Sequence, residues 1–86
     1  MSSGKGRVLV VDDAESVCLA VSTMLQNQGF EVLAARNSED ALSQARMQPV
    51  SVAVIDVHLG SGSGLDLAEV MLEEMPELTV VAMSGS

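Results

Sequence analysis

The sequence has almost no aromatic residues, one cysteine and few basic residues. Trp and Tyr are absent and Phe30 is the one Phe, so the core must be built from aliphatic side chains. Cys18 has no second cysteine for an internal disulfide, which favours a reducing compartment. Four basic residues against twelve acidic ones give a net charge of −8. This balance argues against binding to nucleic acid, which requires clustered Lys and Arg, and is compatible with a cation or a basic partner.

Long apolar runs are also missing. Every run is far shorter than the roughly 20 residues of a membrane-spanning helix. The apolar run 8–11 near the N-terminus is too short for a signal peptide and is followed at once by Asp12 and Asp13. We therefore expect a cytoplasmic protein with no membrane partner. The hydrophobic content of 48% is still ample for the core of one domain.

Short apolar runs alternate with segments of helical periodicity, and they predict the order β-α-β-α-β-α-β. After a flexible leader at 1–6, strands are expected at 7–11, 30–35, 50–57 and 78–83, and helices at 15–28, 38–48 and 65–75. Asn37-Ser38 is a plausible N-cap for the second helix. The alternation indicates an α/β fold, a doubly wound parallel sheet with helices on both faces. The expected buried residues are Val17, Val21, Met24 and Leu25 in the first helix, Ala41, Leu42 and Ala45 in the second, and Leu65, Ala68, Leu72 and Met75 in the third.

Acidic residues end two of the predicted strands. Asp12 and Asp13 follow the first strand, and Asp56 ends the apolar part of the third. Open α/β sheets bind ligands at the carboxyl ends of strands, where the strand order reverses. If the first and third strands are neighbours at that point, three carboxylates converge, and their mutual repulsion favours a bound cation. Oxygen ligands with room for water suit Mg²⁺.

Ordinary structural roles are also possible for these residues. Asp13 could be an N-cap of the first helix, and the glycine-serine run 60–64 could be a flexible linker. Ser84 alone would be an unremarkable serine at a strand end. The ionised Asp56 is harder to explain in this way, because a charge after a buried run is costly without a partner.

Three segments resemble signature blocks of response-regulator receiver domains. They are 8–13, which ends in Asp12-Asp13, 54–59 with Gly64 eight residues after Asp56, and 80–85 with Ser84. The resemblance implies a flavodoxin-like fold in which residues 7–86 form a partial receiver. The sequence stops before the fourth helix, fifth strand and fifth helix of that family, so we expect a truncated receiver.

The resemblance also implies a role in two-component signalling for individual residues. Asp56 would accept a phosphoryl group from a sensor histidine kinase or a phosphotransfer protein, and Ser84 would bind a phosphoryl oxygen. Asp12, Asp13, Asp56 and the backbone carbonyl of His58 would hold Mg²⁺. The His58 side chain would lie where receivers tune dephosphorylation, or would be a solvated loop histidine. Gly64 is expected to adopt a positive φ in a tight turn.

Two departures from the family pattern modify these expectations. None of the four basic residues stands where receivers carry a lysine on the fifth strand, so phosphoryl transfer to Asp56 should be slow or absent, and any enzymatic activity is limited to that self-catalysed step. Gly60 replaces a common proline, which should loosen the loop after Asp56. The apolar edge of the fourth strand, 80–83, predicts a homodimer or strand exchange.

Two other functions stay open. A pseudo-receiver would keep the fold and act as an interaction or dimerisation module without phosphotransfer. A nucleotide-binding α/β half-domain is the weaker alternative, because no glycine-rich loop follows the first strand.

Overall fold

The main sheet has four parallel strands with helices on both of its faces. The computed structural model describes residues 6–59 and 62–83. The strands of the main sheet are β1 (Arg7–Val11), β2 (Glu31–Ala35), β3 (Val52–Asp56) and β6 (Thr79–Met83), and the helices are α1 (Glu15–Asn27), α2 (Ser38–Met47) and α3 (Gly64–Glu74). Two short strands, β4 (His58–Leu59) and β5 (Gly62–Ser63), form a separate antiparallel hairpin.

The strand order is β2-β1-β3-β6, with every neighbouring pair parallel. This arrangement confirms the predicted α/β fold with a doubly wound parallel sheet. The chain moves from β1 outward to β2 and then crosses to β3 on the other side of β1, so the strand order reverses between β1 and β3. The hairpin formed by β4 and β5 was not predicted, because its residues lie in and beside the glycine-serine run 60–64.

β1 is the centre of the core and is buried on both faces. Leu9 and Val11 pack into the cluster that includes residues of α2 and α3, whereas Val8 and Val10 pack with Cys18 of α1. Alternate residues of a strand point to opposite faces of the sheet. A strand covered on both faces therefore needs the continuous apolar run seen at 8–11.

The buried face of α3 differs from the predicted one. Leu67 and Met71 are buried, whereas Leu65 is 59% exposed and Leu72 is 40% exposed. Ala68 and Met75 pack partly against the core as expected. α3 is apolar around most of its circumference, so its periodicity alone did not choose between two overlapping stripes.

The buried face of α1 also differs from the predicted one. Cys18 and Ser22 are buried, while Val17 and Met24 are 42% and 58% exposed. Val21 and Leu25 pack partly against the core, as expected. In α2 the prediction is confirmed, since Ala41 and Ala45 are buried and Leu42 packs against them.

The predicted cap of α2 is also confirmed. The Asn37 side chain accepts a hydrogen bond of 2.8 Å from the Asp40 backbone N–H.

Of the predicted leader, 1–5 lies outside the described residues. Gly6 has φ +96° and its carbonyl accepts a hydrogen bond from the Glu31 N–H at 3.0 Å. Within the described residues, no helix has both the length and the apolar character needed to cross a membrane.

Candidate metal site

Asp12 and Asp56 lie side by side because of the register of two central strands. Val11 of β1 pairs with Ile55 of β3, and both are nearly inaccessible to solvent. Each acidic residue follows its buried apolar neighbour directly, so both reach the carboxyl edge of the sheet at the point where the strand order reverses. Asp12 is 3% exposed and Asp56 is 8% exposed.

Asp13 completes a group of three carboxylates. One carboxylate oxygen from each of Asp12, Asp13 and Asp56 lies within 4.8 Å of the other two, and Asp13 is the exposed member. The expected convergence of these three residues is therefore present. Two largely buried carboxylates beside a third need positive charge close by, and an all-oxygen donor set with one side open to water fits a hard divalent cation such as Mg²⁺.

Backbone amides orient the two buried carboxylates. Asp12 Oδ1 accepts a hydrogen bond of 2.8 Å from the Ala14 N–H, and Asp56 Oδ1 accepts one of 3.0 Å from the His58 N–H. The N-cap of α1 is Ala14, which makes no side-chain cap. The alternative role of Asp13 as an N-cap is therefore wrong, and its carboxylate is directed to the acidic group instead.

Backbone hydrogen bonds hold both ends of the loop between β3 and α3. The Val57 N–H donates to the Met83 carbonyl at 2.9 Å, and the Gly64 N–H donates to the Val57 carbonyl at 3.0 Å. Ser63 caps α3, since its hydroxyl accepts from the Leu65 and Asp66 N–H groups at 3.2 and 3.4 Å. The expectation of a looser loop rests on Gly60, which lies outside the described residues.

The positive φ predicted for Gly64 is wrong. Among the described residues, only Gly6 and Gly29 have positive φ. Gly64 is the first residue of α3, and the space for a side chain is filled there by the backbone of Asp56. The sequence did not indicate this reason for glycine. A glycine required by the close approach of another group and one required by a positive φ cannot be told apart in a sequence.

The roles predicted for His58 and Ser84 are supported less directly than those of the three carboxylates. His58 is exposed at the start of β4, and its N–H is used by Asp56. Its backbone carbonyl as a metal ligand and its side chain in dephosphorylation stay predictions. Ser84 lies outside the described residues, so its role stays a prediction as well.

Sequence reasoning missed Ser63, although a signal was present. Ser63 is followed three residues later by Asp66 and then by an apolar segment, which is the pattern of a helix N-terminus. The cap lies within the loop that carries Asp56 into α3 and fixes where that loop ends. The glycines on either side of Ser63 concealed it in a segment that was predicted only as a loop.

Two arginine ion pairs lie apart from the carboxylates. Arg7 pairs with Glu31 at 2.8 Å near the amino ends of β1 and β2. Arg46 pairs with Glu74 at 2.6 Å, and the hydrogen bond from Arg46 lowers the pKa of Glu74 below its usual value. A wide cavity of about 1030 Å³ beside the second pair is lined by the amino ends of β3 and β6. It lies at the sheet edge opposite the acidic group.

Cys18 of α1 packs against Val8 and Val10 of β1. It is 5% exposed. Its burial, with a smaller contribution from the negative charge of Asp12, raises the pKa of the thiol. The side chain therefore acts as a small apolar packing group at neutral pH.

The model of the response regulator receiver domain family matches residues 8–86 of the chain. The chain belongs to this family. The match begins at the second residue of β1 and covers every later strand and helix described above, together with Asp12, Asp13, Asp56 and Ser84. The fold is the flavodoxin-like fold of receivers.

Known receivers resemble this chain in sequence and in structure. The photosynthetic apparatus regulatory protein RegA of Cereibacter sphaeroides is 31% identical over 78 residues, which are 91% of this chain and 42% of RegA. A crystal structure of a Burkholderia pseudomallei response regulator, with a phosphorylated aspartic acid, calcium ion and citrate, is 29% identical with a TM-score of 0.88. The match covers 93% of this chain and 47% of that one. The chemotaxis protein CheY4 of Vibrio cholerae is 27% identical with a TM-score of 0.84, and the match covers 88% of this chain and 65% of that one.

The chain spans only part of the length of these relatives. It spans less than half of the length of RegA and about two thirds of the Vibrio cholerae chain. The acidic group and the switch point between β1 and β3 both lie within the part that is shared.

Proposed function

We propose that this receiver accepts a phosphoryl group on Asp56 in a two-component system, with Mg²⁺ held by Asp12, Asp13 and Asp56. The observation that carries the proposal is the convergence of three carboxylates, two of them buried, at the switch point of the sheet. The Burkholderia pseudomallei regulator supports it, because that similar structure contains a phosphorylated aspartic acid and a calcium ion.

The chemistry is nucleophilic attack by a carboxylate. The donor is a phosphohistidine on a sensor histidine kinase or a phosphotransfer protein. An Asp56 oxygen forms a bond to phosphorus while the bond from phosphorus to the imidazole nitrogen breaks, and the released nitrogen ends protonated. The product on Asp56 is an acyl phosphate.

The residues of the site have separate tasks in this reaction. The His58 N–H donates to Asp56 Oδ1 and so fixes the orientation of the attacking carboxylate. Bound Mg²⁺ supplies positive charge that balances the carboxylates and the incoming phosphoryl group. Asp12 is held by the Ala14 N–H in an orientation from which it can serve as a ligand. The His58 carbonyl would be a further ligand, and the Ser84 hydroxyl would contact a phosphoryl oxygen.

The test is phosphorylation by acetyl phosphate followed by mass spectrometry. We expect Mg²⁺-dependent addition of one phosphoryl group, lost in Asp56→Asn and retained in Asp66→Asn, which makes the same change at an exposed acid of α3. The rate also tests the expectation of slow transfer without a fifth-strand lysine. Labelling that persists in Asp56→Asn, or that needs no divalent cation, would contradict the proposal. No labelling of a folded, Mg²⁺-binding chain would favour the pseudo-receiver instead.

We also propose that two copies associate through β6. This strand is at the edge of the sheet, and Val81 is 46% exposed. An exposed apolar edge strand presents backbone donors and acceptors to a second strand. Self-association would be compatible with either phosphotransfer or a purely interacting role. Cys18 is a free cysteine, which favours the cytoplasm as the compartment in which the protein contacts its partner kinase.

A further inference from the structure

Gly64 lies directly against the backbone of Asp56. A Cβ atom at position 64 would lie 2.8 Å from the Asp56 carbonyl carbon, closer still to the carbonyl oxygen, and 3.0 Å from Ile55 Cγ2. Real Cβ atoms are essentially never found within 3.0 Å of such atoms. The blocking group is backbone at the end of a central strand, so it has no rotamer into which it can turn away.

The absence of a side chain at Gly64 is not a requirement of the helix. Gly64 begins α3 and does not have a positive φ. Alanine is a better helix former than glycine, so helix propensity alone would favour alanine here. The close approach of the Asp56 carbonyl is therefore what requires glycine.

The same contact connects the start of α3 to the acceptor carboxylate. The Gly64 N–H donates to the Val57 carbonyl, which belongs to the peptide unit after Asp56. The same peptide unit, between Val57 and His58, supplies the His58 N–H, which donates to Asp56 Oδ1. The Asp56 carbonyl belongs to the preceding peptide unit, between Asp56 and Val57. A shift of this carbonyl therefore also moves the adjacent unit, whose N–H holds the Asp56 carboxylate.

We infer that Gly64 is a positioning residue for the Asp56 carboxylate: its missing Cβ lets α3 hold the backbone at 56–58 in the geometry that aims this carboxylate at the acidic group. The inference deepens the proposed function and rests on it for the metal-binding readout only. Relief of the contact in Gly64→Ala requires a shift of about 1 Å, enough to weaken a site that depends on oxygen positions.

The experiment compares Gly64→Ala with Gly29→Ala. Gly29 has φ +99° at the end of α1, so alanine there strains the fold without contacting the loop after Asp56. The readouts are the Mg²⁺ dissociation constant and the proton shift and exchange rate of the His58 amide, measured by NMR on folded protein. In Gly64→Ala we expect Mg²⁺ affinity to fall about tenfold or more and the His58 amide to exchange faster. In Gly29→Ala we expect both to stay at wild-type values.

An unchanged His58 amide together with unchanged Mg²⁺ affinity in Gly64→Ala would overturn the inference. If wild-type protein binds no Mg²⁺, the proposed function fails, while the His58 amide still decides the role of Gly64. If Gly64→Ala is unfolded, the spectra are recorded in sucrose, which favours compact states. A variant that stays unfolded there, under conditions in which Gly29→Ala is folded, would show that position 64 serves the fold and would also overturn the inference.

Discussion

Val11 and Ile55 determine where the acidic residues lie, although neither carries a charge. Their pairing in register brings the following residues, Asp12 and Asp56, to the same edge of the sheet. Burial of a carboxylate is unfavourable unless hydrogen bonds or a cation compensate for lost water. Each buried carboxylate accepts a hydrogen bond from a backbone N–H, and the third carboxylate, Asp13, is exposed.

Cys18 leads to a prediction about alkaline pH. Because the pKa of the folded thiol is raised, its contribution to stability is complete below the pKa of the unfolded thiol and is lost as pH rises through the folded value. The thermal midpoint of wild-type protein should therefore decrease as pH rises above about 8.5, the usual pKa of a cysteine thiol. In Cys18→Ala this part of the pH dependence should be missing, as measured by circular dichroism. An identical alkaline decline in both proteins would contradict the assignment.

At single positions the sequence was informative where a residue interrupts a pattern. Asp56 ends an apolar strand, and a charged group there needs a reason, so its place in the site could be predicted. Gly64 could be marked as important, but not for the right reason, because a clash with the Asp56 carbonyl depends on how closely α3 approaches β3. Ser22 is buried without a hydrogen-bond partner among the described residues, and nothing in the sequence indicates it.

The secondary-structure elements were predictable in kind and less so in orientation. The strands are short β-branched runs, and the helices end near Gly29, Pro49 and Pro76, which are strong local signals. The buried faces of α1 and α3 were misassigned because both helices are apolar over more than one stripe. Which face of a helix is buried depends on how the helix packs on the sheet. The periodicity of the sequence carries no information about that packing.

The hairpin of β4 and β5 was missed for a different reason. It has only two residues on each strand, pairing His58 with Ser63 and Leu59 with Gly62. Glycine and serine favour turns and have low strand propensity, so the local sequence predicted a loop. Leu59, buried at 5% exposure, is the residue that fixes the hairpin to the core.

β6 is the edge strand through which we propose that two copies associate. We expect wild-type protein to dimerise in sedimentation velocity experiments and Val81→Lys to shift it towards monomer, because a charged residue on an edge strand opposes pairing with another chain. Val70→Lys is the matched control, since Val70 is 39% exposed on α3 and Val81 is 46% exposed. A monomeric wild-type chain at micromolar concentration, or equal effects of the two substitutions, would contradict the proposed interface.

In the whole molecule, the strand order places the candidate site. The alternation of strands and helices predicted a parallel sheet with helices on both faces, and the structure confirms it. Alternation alone does not order the strands, so the adjacency of β1 and β3 was conditional until the order β2-β1-β3-β6 was known. The resemblance to receivers implied a flavodoxin-like fold, and the family match over residues 8–86 agrees with that fold.

The acidic group is separate from the two arginine ion pairs. The acidic group lies at the carboxyl edge of the sheet, whereas the Arg7–Glu31 and Arg46–Glu74 pairs lie at or near the amino edge. With a net charge of −8, the protein should attract cations in general. A specific site must therefore be distinguished from a diffuse attraction to many carboxylates.

The most direct test of the central claim is an NMR titration of the protein with Mg²⁺. We predict saturable shifts concentrated at the backbone amides of Asp12, Asp13, Asp56 and His58. The affinity should fall by about tenfold or more in Asp12→Asn and stay unchanged in the control Asp66→Asn. Small, unsaturated shifts spread over all acidic residues, or an Asp12→Asn variant that binds Mg²⁺ as the wild type does, would contradict the account.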